Sequence, residues 1–176
     1  MGKVLWHATI SLDGFIAGPH DAMEWVFEQA GPNPAAERVT AETGALLVGR
    51  RSYDVARMVP AGIPQFVLTH RTPDATPEGV TFLSGEVMYA VSAALGAAGK
   101  KDLVVLGANV AKQCLSAGLV DEILVHVAPL LLGEGLPFYR RAGSAMQLEP
   151  PEVSQAGAVT NLRFRVKKRA TNSERP

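Results

Sequence analysis

Residues 4–11 carry two interleaved sets, Val4, Trp6, Ala8 and Ile10 against Leu5, His7, Thr9 and Ser11. Both sets contain apolar side chains, the pattern of a strand buried on both faces. Asp13-Gly14 breaks it. Residues 18–34 are rich in Gly and Pro and read as a loop, with one or two helical turns over 23–27. A helix is expected over 34–43, with Pro34 in its first turn and Gly44 at its end. Residues 45–48 form a short apolar run, and the helix opening at Gly49 is expected to reach about Arg57. Two further strands are predicted over 65–69 and 80–83. Ser84 reads as an N-cap with Glu86 in the first turn. Val87, Ala90, Val91, Ala94, Leu95 and Ala98 then recur at helical spacing up to Gly99. Residues 102–106 predict a fifth strand, followed by a helix from Gly107-Ala108-Asn109 through Val110, Cys114 and Leu115 to Gly118. A sixth strand is predicted over 123–128, stopped by Pro129. Leu162, Phe164 and Val166 alternate with Arg163, Arg165 and Lys167, which predicts a half-exposed antiparallel strand whose partner is expected around 146–154.

Alternating strands and helices over the first 128 residues imply an α/β fold: a central, mostly parallel sheet, flanking helices, and an antiparallel C-terminal hairpin at one edge. No internal repeat or low-complexity linker divides the chain. One domain is expected over 1–168, with a flexible basic tail over 169–176. Of the 176 residues, 47% are hydrophobic and 19% charged, enough apolar material for a core. Seventeen basic groups balance seventeen acidic ones, which argues against a nucleic-acid partner. The balance is uneven. Residues 163–176 hold six basic groups and one acid, leaving 11 basic and 16 acidic groups elsewhere, a net of −5. The lone Cys114 supports neither a disulfide framework nor a thiolate metal site, and packing is the expected role of its thiol. No run of 18 apolar residues offers a membrane span, and the N-terminus lacks a signal-like apolar segment, so a cytoplasmic location is expected.

Open parallel sheets bind ligands beyond the carboxyl ends of their strands. Three such ends carry suggestive residues. Gly49-Arg50-Arg51-Ser52 combines close backbone approach, free N–H groups and guanidinium forks, all suited to phosphate. Thr69-His70-Arg71 offers a hydroxyl, an imidazole and a guanidinium. Gly107-Ala108-Asn109-Val110 is a second small-residue entry into a helix. Any one of these also fits a plain polar turn; three in one parallel sheet suggest a ligand with several phosphates. The dinucleotide fingerprint G-x-G-x-x-G is absent after any predicted strand, and so is G-x-x-x-x-G-K-[ST].

Ser11-Leu12-Asp13-Gly14-Phe15-Ile16-Ala17, Leu47-Val48-Gly49-Arg50-Arg51-Ser52-Tyr53, Leu68-Thr69-His70-Arg71, Leu106-Gly107-Ala108-Asn109 and Ala128-Pro129-Leu130-Leu131-Leu132-Gly133 occur in this order. Together they resemble the dihydrofolate reductase superfamily, in particular the C-terminal reductase domain of bifunctional riboflavin-biosynthesis proteins. The resemblance implies an NADPH-dependent reductase acting on a small pteridine-, pyrimidine- or other heteroaromatic substrate. It assigns the pyrophosphate to Gly49, Arg50, Arg51 and Ser52 and to Gly107, Ala108, Asn109 and Val110. It assigns the adenosine 2′-phosphate to Thr69, His70 and Arg71, and the nicotinamide flank to Ile16 and Ala17. Two departures stand out: Ala108 where many relatives have a second glycine, and Glu134 where relatives often have glycine.

The acceptor end is less defined. Folate reductases place a carboxylate under the pterin, on the helix after the first strand, and four acids here are candidates: Asp13, Asp21, Glu24 and Glu37. Asp13 and Glu37 are retained as catalytic candidates, with Trp25 as a ring that could stack on a heteroaromatic. Their structural alternatives are a turn residue, a helix-dipole partner and a core anchor. His7 and His126 fall in buried strands, where a hydrogen-bonded core role is expected; His7 is the better functional candidate of the two. The resemblance also implies a homodimer, with Leu130-Leu131-Leu132 a candidate contact. Two other readings stay open: a stand-alone pyrimidine reductase of riboflavin biosynthesis, without the deaminase that would need more cysteines, and a nucleotide-binding protein without turnover.

Overall fold

The computed structural model describes residues 2–29, 31–56, 60–140 and 145–168. The doubly apolar first segment becomes β1 (Val4–Ser11), a central strand with parallel neighbours on both sides, so both of its faces are covered. The chain continues through β2 (Phe15–Ala17), α1 (Glu24–Glu28), α2 (Pro34–Glu42), β3 (Thr43–Gly49) and α3 (Arg50–Ala56). Next come β4 (Gln65–Leu68), β5 (Val80–Leu83), α4 (Val87–Ala98), β6 (Asp102–Leu106), α5 (Ala108–Ser116) and β7 (Glu122–Ala128). The last elements are β8 (Leu136–Pro137), β9 (Glu152–Ala156) and β10 (Val159–Arg165). The main sheet runs β5-β4-β3-β6-β1-β7-β10-β9. Its first six strands are parallel; β10 is antiparallel to both β7 and β9. The expected α/β architecture with a C-terminal hairpin is therefore present.

The two faces are covered by different helices. Val4 and Trp6 pack with Leu47, Leu103, Val105 and Val125 beneath α4 and α5, through Ala90, Val91, Ala94, Val110, Ala111 and Cys114. Burial in this layer pushes the Cys114 thiol up to about 12, which keeps it protonated and unreactive. On the opposite face Leu5, Leu46, Val104 and Leu124 pack against Val39 of α2. Truncating a fully buried member such as Leu47 to Ala would cost about 2–5 kcal/mol.

Several boundaries differ from the sequence pattern. Gly44 does not end α2: Thr43 does, its hydroxyl donating to the Val39 carbonyl at 2.6 Å. Gly44 lies inside β3, where a Cβ would stand 2.5 Å from the Ala98 carbonyl oxygen, so the glycine lets the end of α4 sit directly on the strand. Ser84 is not the cap of α4 either. The cap is Glu86, without a side-chain hydrogen bond, because the Ser84-Gly85 turn takes up one more residue than the spacing suggests. The hairpin partner starts at Glu152, later than expected, because Pro150-Pro151 cannot donate to a ladder and the two-residue turn Gly157-Ala158 fixes the register at Ala156 opposite Val159. Only an isolated bridge, Leu148 to Val166, extends it backwards. The pairing of β2 with β8 was not expected from the pattern. Arg57, the expected helix end, and the tail over 169–176 lie outside the described residues. Among the described residues no helix is long and apolar enough to cross a membrane.

Candidate functional site

The carboxyl ends of β3, β4 and β6 open into one cavity of about 890 Å3, within the range of small-molecule sites. Gly49, Arg50, Arg51, Ser52, Thr69, His70, Arg71, Gly107, Ala108, Asn109 and Val110 all line it. Three turns far apart in sequence thus meet at one place, because parallel strands put all their carboxyl ends on one side. Two packing contacts join the turns. A Cβ on Gly107, whose φ is +88°, would lie 2.3 Å from Ser52 Oγ, and a Cβ on Gly49 would lie 3.1 Å from Val110 Cγ2. The sequence did not point to Lys112, Gln113, Phe138 or Arg140, which also line the cavity. Phe138 is held there by stacking on buried Trp6, ring centres 4.1 Å apart.

Two features of the cavity suit an anion. Gly107 gives α5 no side-chain cap, so the first N–H groups of a nine-residue helix open onto it. Its cations also differ in their commitments. Arg50 Nε donates to both carboxylate oxygens of Asp54, at 3.0 and 2.9 Å, with its guanidinium 5.6 Å from the Phe82 ring centre. Arg51 Nε donates to Asp21 Oδ2 at 2.7 Å. Arg71, Lys112 and Arg140 have no acidic partner among the described residues. The Thr69 hydroxyl shapes its own turn, accepting from Arg71 N–H at 3.2 Å and donating to the Arg71 carbonyl at 3.0 Å, and this places Arg71 at the cavity rim.

Ile16 and Ala17 do not line the cavity. They are buried in β2, which pairs with the wall strand β8: Phe15 opposite Pro137, Ala17 opposite Leu136. The three catalytic candidates are elsewhere, each in a local structural role. Asp13 accepts the Ser11 hydroxyl at 2.6 Å and the N–H groups of Leu132 and Gly133 at 3.1 and 2.7 Å. These bonds, that from Ser11 first, hold its carboxyl below the usual range and latch the 11–14 turn to the 130–133 loop. Trp25 is buried, its indole N–H donating to the Ala22 carbonyl at 3.2 Å. Glu37 is exposed in the first turn of α2. Sequence reading undervalued His7 and His126. Their Nε2 atoms lie 2.6 Å apart, and His126 Nδ1 lies 2.5 Å from Asn161 Oδ1. Burial, aided by His126 and Arg163, pushes His7 down to about 3; burial also lowers His126, against the hydrogen bond to Asn161 Oδ1. Among the described residues no cluster of His, Cys, Asp and Glu could hold a metal ion.

This fold and these motifs agree with the outcome of comparison with known proteins. The family model for the RibD C-terminal domain matches residues 2–162. The chain belongs to the RibD C-terminal domain family. Among solved structures, a putative riboflavin biosynthesis protein from Shewanella sp. PV-4 superposes with a TM-score of 0.80 at 22% identity, covering 94% of this chain and 99% of the other. A dihydrofolate reductase from Enterococcus faecalis, complexed with NADP(H), superposes with a TM-score of 0.68 at 15% identity, covering 94% and 97%. This RibD C-terminal domain therefore has the dihydrofolate reductase fold. Uncharacterized protein YwjB of Bacillus subtilis is 23% identical over 170 residues, covering 92% of this chain and 97% of its own length.

Proposed function

We propose that this RibD C-terminal domain is an NADPH-dependent reductase that delivers hydride to a small heteroaromatic molecule. The observation that carries the reading is the convergence of Gly49–Ser52, Thr69–Arg71 and Gly107–Val110 on one cavity with an uncapped helix start and cations that have no acidic partner among the described residues. A dinucleotide suits that set. The α5 N-terminus and Gly107 would take the pyrophosphate, since a glycine at that point lets a phosphate approach the backbone. Arg71, with no carboxylate partner among the described residues, would take the 2′-phosphate and so favour NADPH over NADH. When bound, the cofactor supplies the hydride; the protein orients it and excludes water.

The chain's own residues do the positioning. The Asp13 latch and the Ala17–Leu136 pairing hold β2, with buried Ile16 and Ala17, behind the cavity wall formed by Leu136 and Pro137. Phe138, stacked on Trp6, gives that wall an apolar floor. Exposed Leu12 and Leu131, on two segments joined by the Leu12 N–H to Leu130 carbonyl bond at 2.8 Å, would form the contact of a homodimer. The test is NADPH oxidation against a panel of pteridines, aminopyrimidines and flavin precursors. Turnover of one or more members with NADPH supports the reading. Tight NADPH binding with no acceptor reduced would favour a nucleotide-binding protein without turnover.

A further inference from the structure

The strand order lays the cavity out as a row. Across the sheet, β4 leads into Thr69–Arg71, β3 into Arg50–Ser52 and β6 into Gly107–Val110, and the next strand is β1, over whose Trp6 the Phe138 ring is stacked. Adjacent strands lie about 4.8 Å apart, so the three steps from β4 to β1 cover about 14 Å. The two ends of the row differ in chemistry. At the β4 end stands Arg71, without an acidic partner among the described residues. At the β1 end the wall is Leu136, Pro137 and Phe138.

Among the described residues Phe138 brings the one benzene ring to the cavity lining. Tyr53 of α3 and Phe82 of β5 pack edge to face on each other, ring centres 5.4 Å apart, and do not line it. The Phe138 ring is fixed from behind. Trp6 is 1% exposed, held in register between Val105 of β6 and Ile123 of β7, and its indole lies 4.1 Å from the phenyl centre at an interplanar angle of 19°. The backbone is fixed as well: Phe138 N–H donates to the Gly14 carbonyl at 2.9 Å, and Pro137 pairs with Phe15. Phe138 is only half-buried and lines the cavity, so part of its ring remains open to a ligand. A rigid ring backed on one side accepts a second flat ring, offset on its open face or against its edge.

A dinucleotide consists of two ring-bearing halves joined by a pyrophosphate. With the pyrophosphate at Gly107 and the start of α5, and the 2′-phosphate half drawn to Arg71 beyond β4, the other half runs the opposite way along the row, towards β1. We propose that Phe138, with Trp6 stacked behind it, is the surface on which the nicotinamide ring rests. The inference rests on the reductase reading above. It adds a residue from the 136–138 wall, a segment apart from Ile16 and Ala17, which do not line the cavity.

The test compares NADPH with 2′-phospho-ADP-ribose, which keeps every phosphate and the adenosine and lacks the nicotinamide. In calorimetric titration the wild type should bind NADPH roughly five- to tenfold more tightly than the fragment. Phe138→Ala should lose that preference while its affinity for the fragment stays within about twofold, and Phe138→Tyr, which restores a ring, should keep it. The unchanged fragment affinity separates loss of a ring contact from general damage to the cavity. In the wild type, nuclear Overhauser contacts should join the Phe138 ring protons to the nicotinamide protons of bound NADPH and not to those of adenine. They need no substitution, so they decide the matter even where Phe138→Ala does not fold. Equal wild-type affinity for the two ligands, an equal loss of both in Phe138→Ala, or contacts from Phe138 to adenine would overturn the proposal and leave the reductase reading standing. A wild type that binds neither ligand would remove both.

Discussion

The Ser52 hydroxyl occupies the place where a side chain on Gly107 would begin, 2.3 Å from that Cβ position. The contact welds the turn after β3 to the turn after β6, and the cavity lies over the weld. Gly107→Ala should therefore cost about 1–3 kcal/mol from its positive φ alone, and the collision with Ser52 adds to that. The melting temperature should fall by several degrees, with at least about tenfold weaker NADPH binding as the α5 N-terminus shifts. The Ser52→Ala/Gly107→Ala double variant should recover part of the stability, since Oγ is gone, but not all, since Ser52 Cβ remains 3.2 Å away. Additive losses in calorimetric melting would contradict the direct contact.

Asp21, at a backbone position with φ of +64°, holds Arg51 of the cavity lining. Arg51 is exposed and Asp21 only partly buried, so the pair contributes about 1 kcal/mol or less to stability. Its effect on an anionic ligand is larger in proportion, because the carboxylate competes for the guanidinium. Asp21→Asn should leave the melting temperature within about 2 °C and tighten NADPH binding by roughly two- to fivefold. Weaker binding in a fluorescence titration would mean that Asp21 holds Arg51 in its working position.

His7 and His126 set an acid limit. Both have folded-state values below that of a free imidazole, His7 at about 3. The folded state therefore disfavours the extra proton. Full stability is present above about pH 6.5 and is lost as pH falls from there towards 3. Between about pH 5 and 7 ordinary carboxylates stay ionised, so imidazoles dominate that window. Urea unfolding at pH 7 and pH 5 should show a clear loss in the wild type and a smaller loss in His7→Phe. An unchanged pH difference in the variant would contradict the buried neutral pair.

Leu131 is 70% exposed and Leu12 66%, an unusual outlay of apolar surface on two adjoining turns. If they join two copies, Leu131→Lys should convert a dimer to a monomer in sedimentation while leaving the fold intact by circular dichroism. A wild-type monomer at high concentration would remove the dimer from the account.

Much of this was legible in the residues. The doubly apolar 4–11 segment and the apolar runs at 45–48 and 102–106 read as buried strands, and the glycine-led turns after the latter two marked the cavity. What escaped were relations between distant residues. Asp13 reads as an ordinary Asp-Gly turn until the N–H groups of Leu132 and Gly133 meet its carboxylate. Asn33 reads as a loop residue before Pro34, yet its amide orients Asn161, 128 positions away, and through it both histidines. Periodicity reports burial; it carries no information on which buried polar groups find each other.

The central claim is that the cavity is built for a 2′-phosphorylated dinucleotide. Calorimetric titration of the wild type and Arg71→Ala with NADPH and with NADH tests it most directly. The account predicts one NADPH site per chain, NADH binding at least tenfold weaker, and an Arg71→Ala variant that loses about 10- to 100-fold for NADPH while NADH is little changed. Equal affinity for the two cofactors in the wild type, or an equal loss for both in the variant, would contradict it.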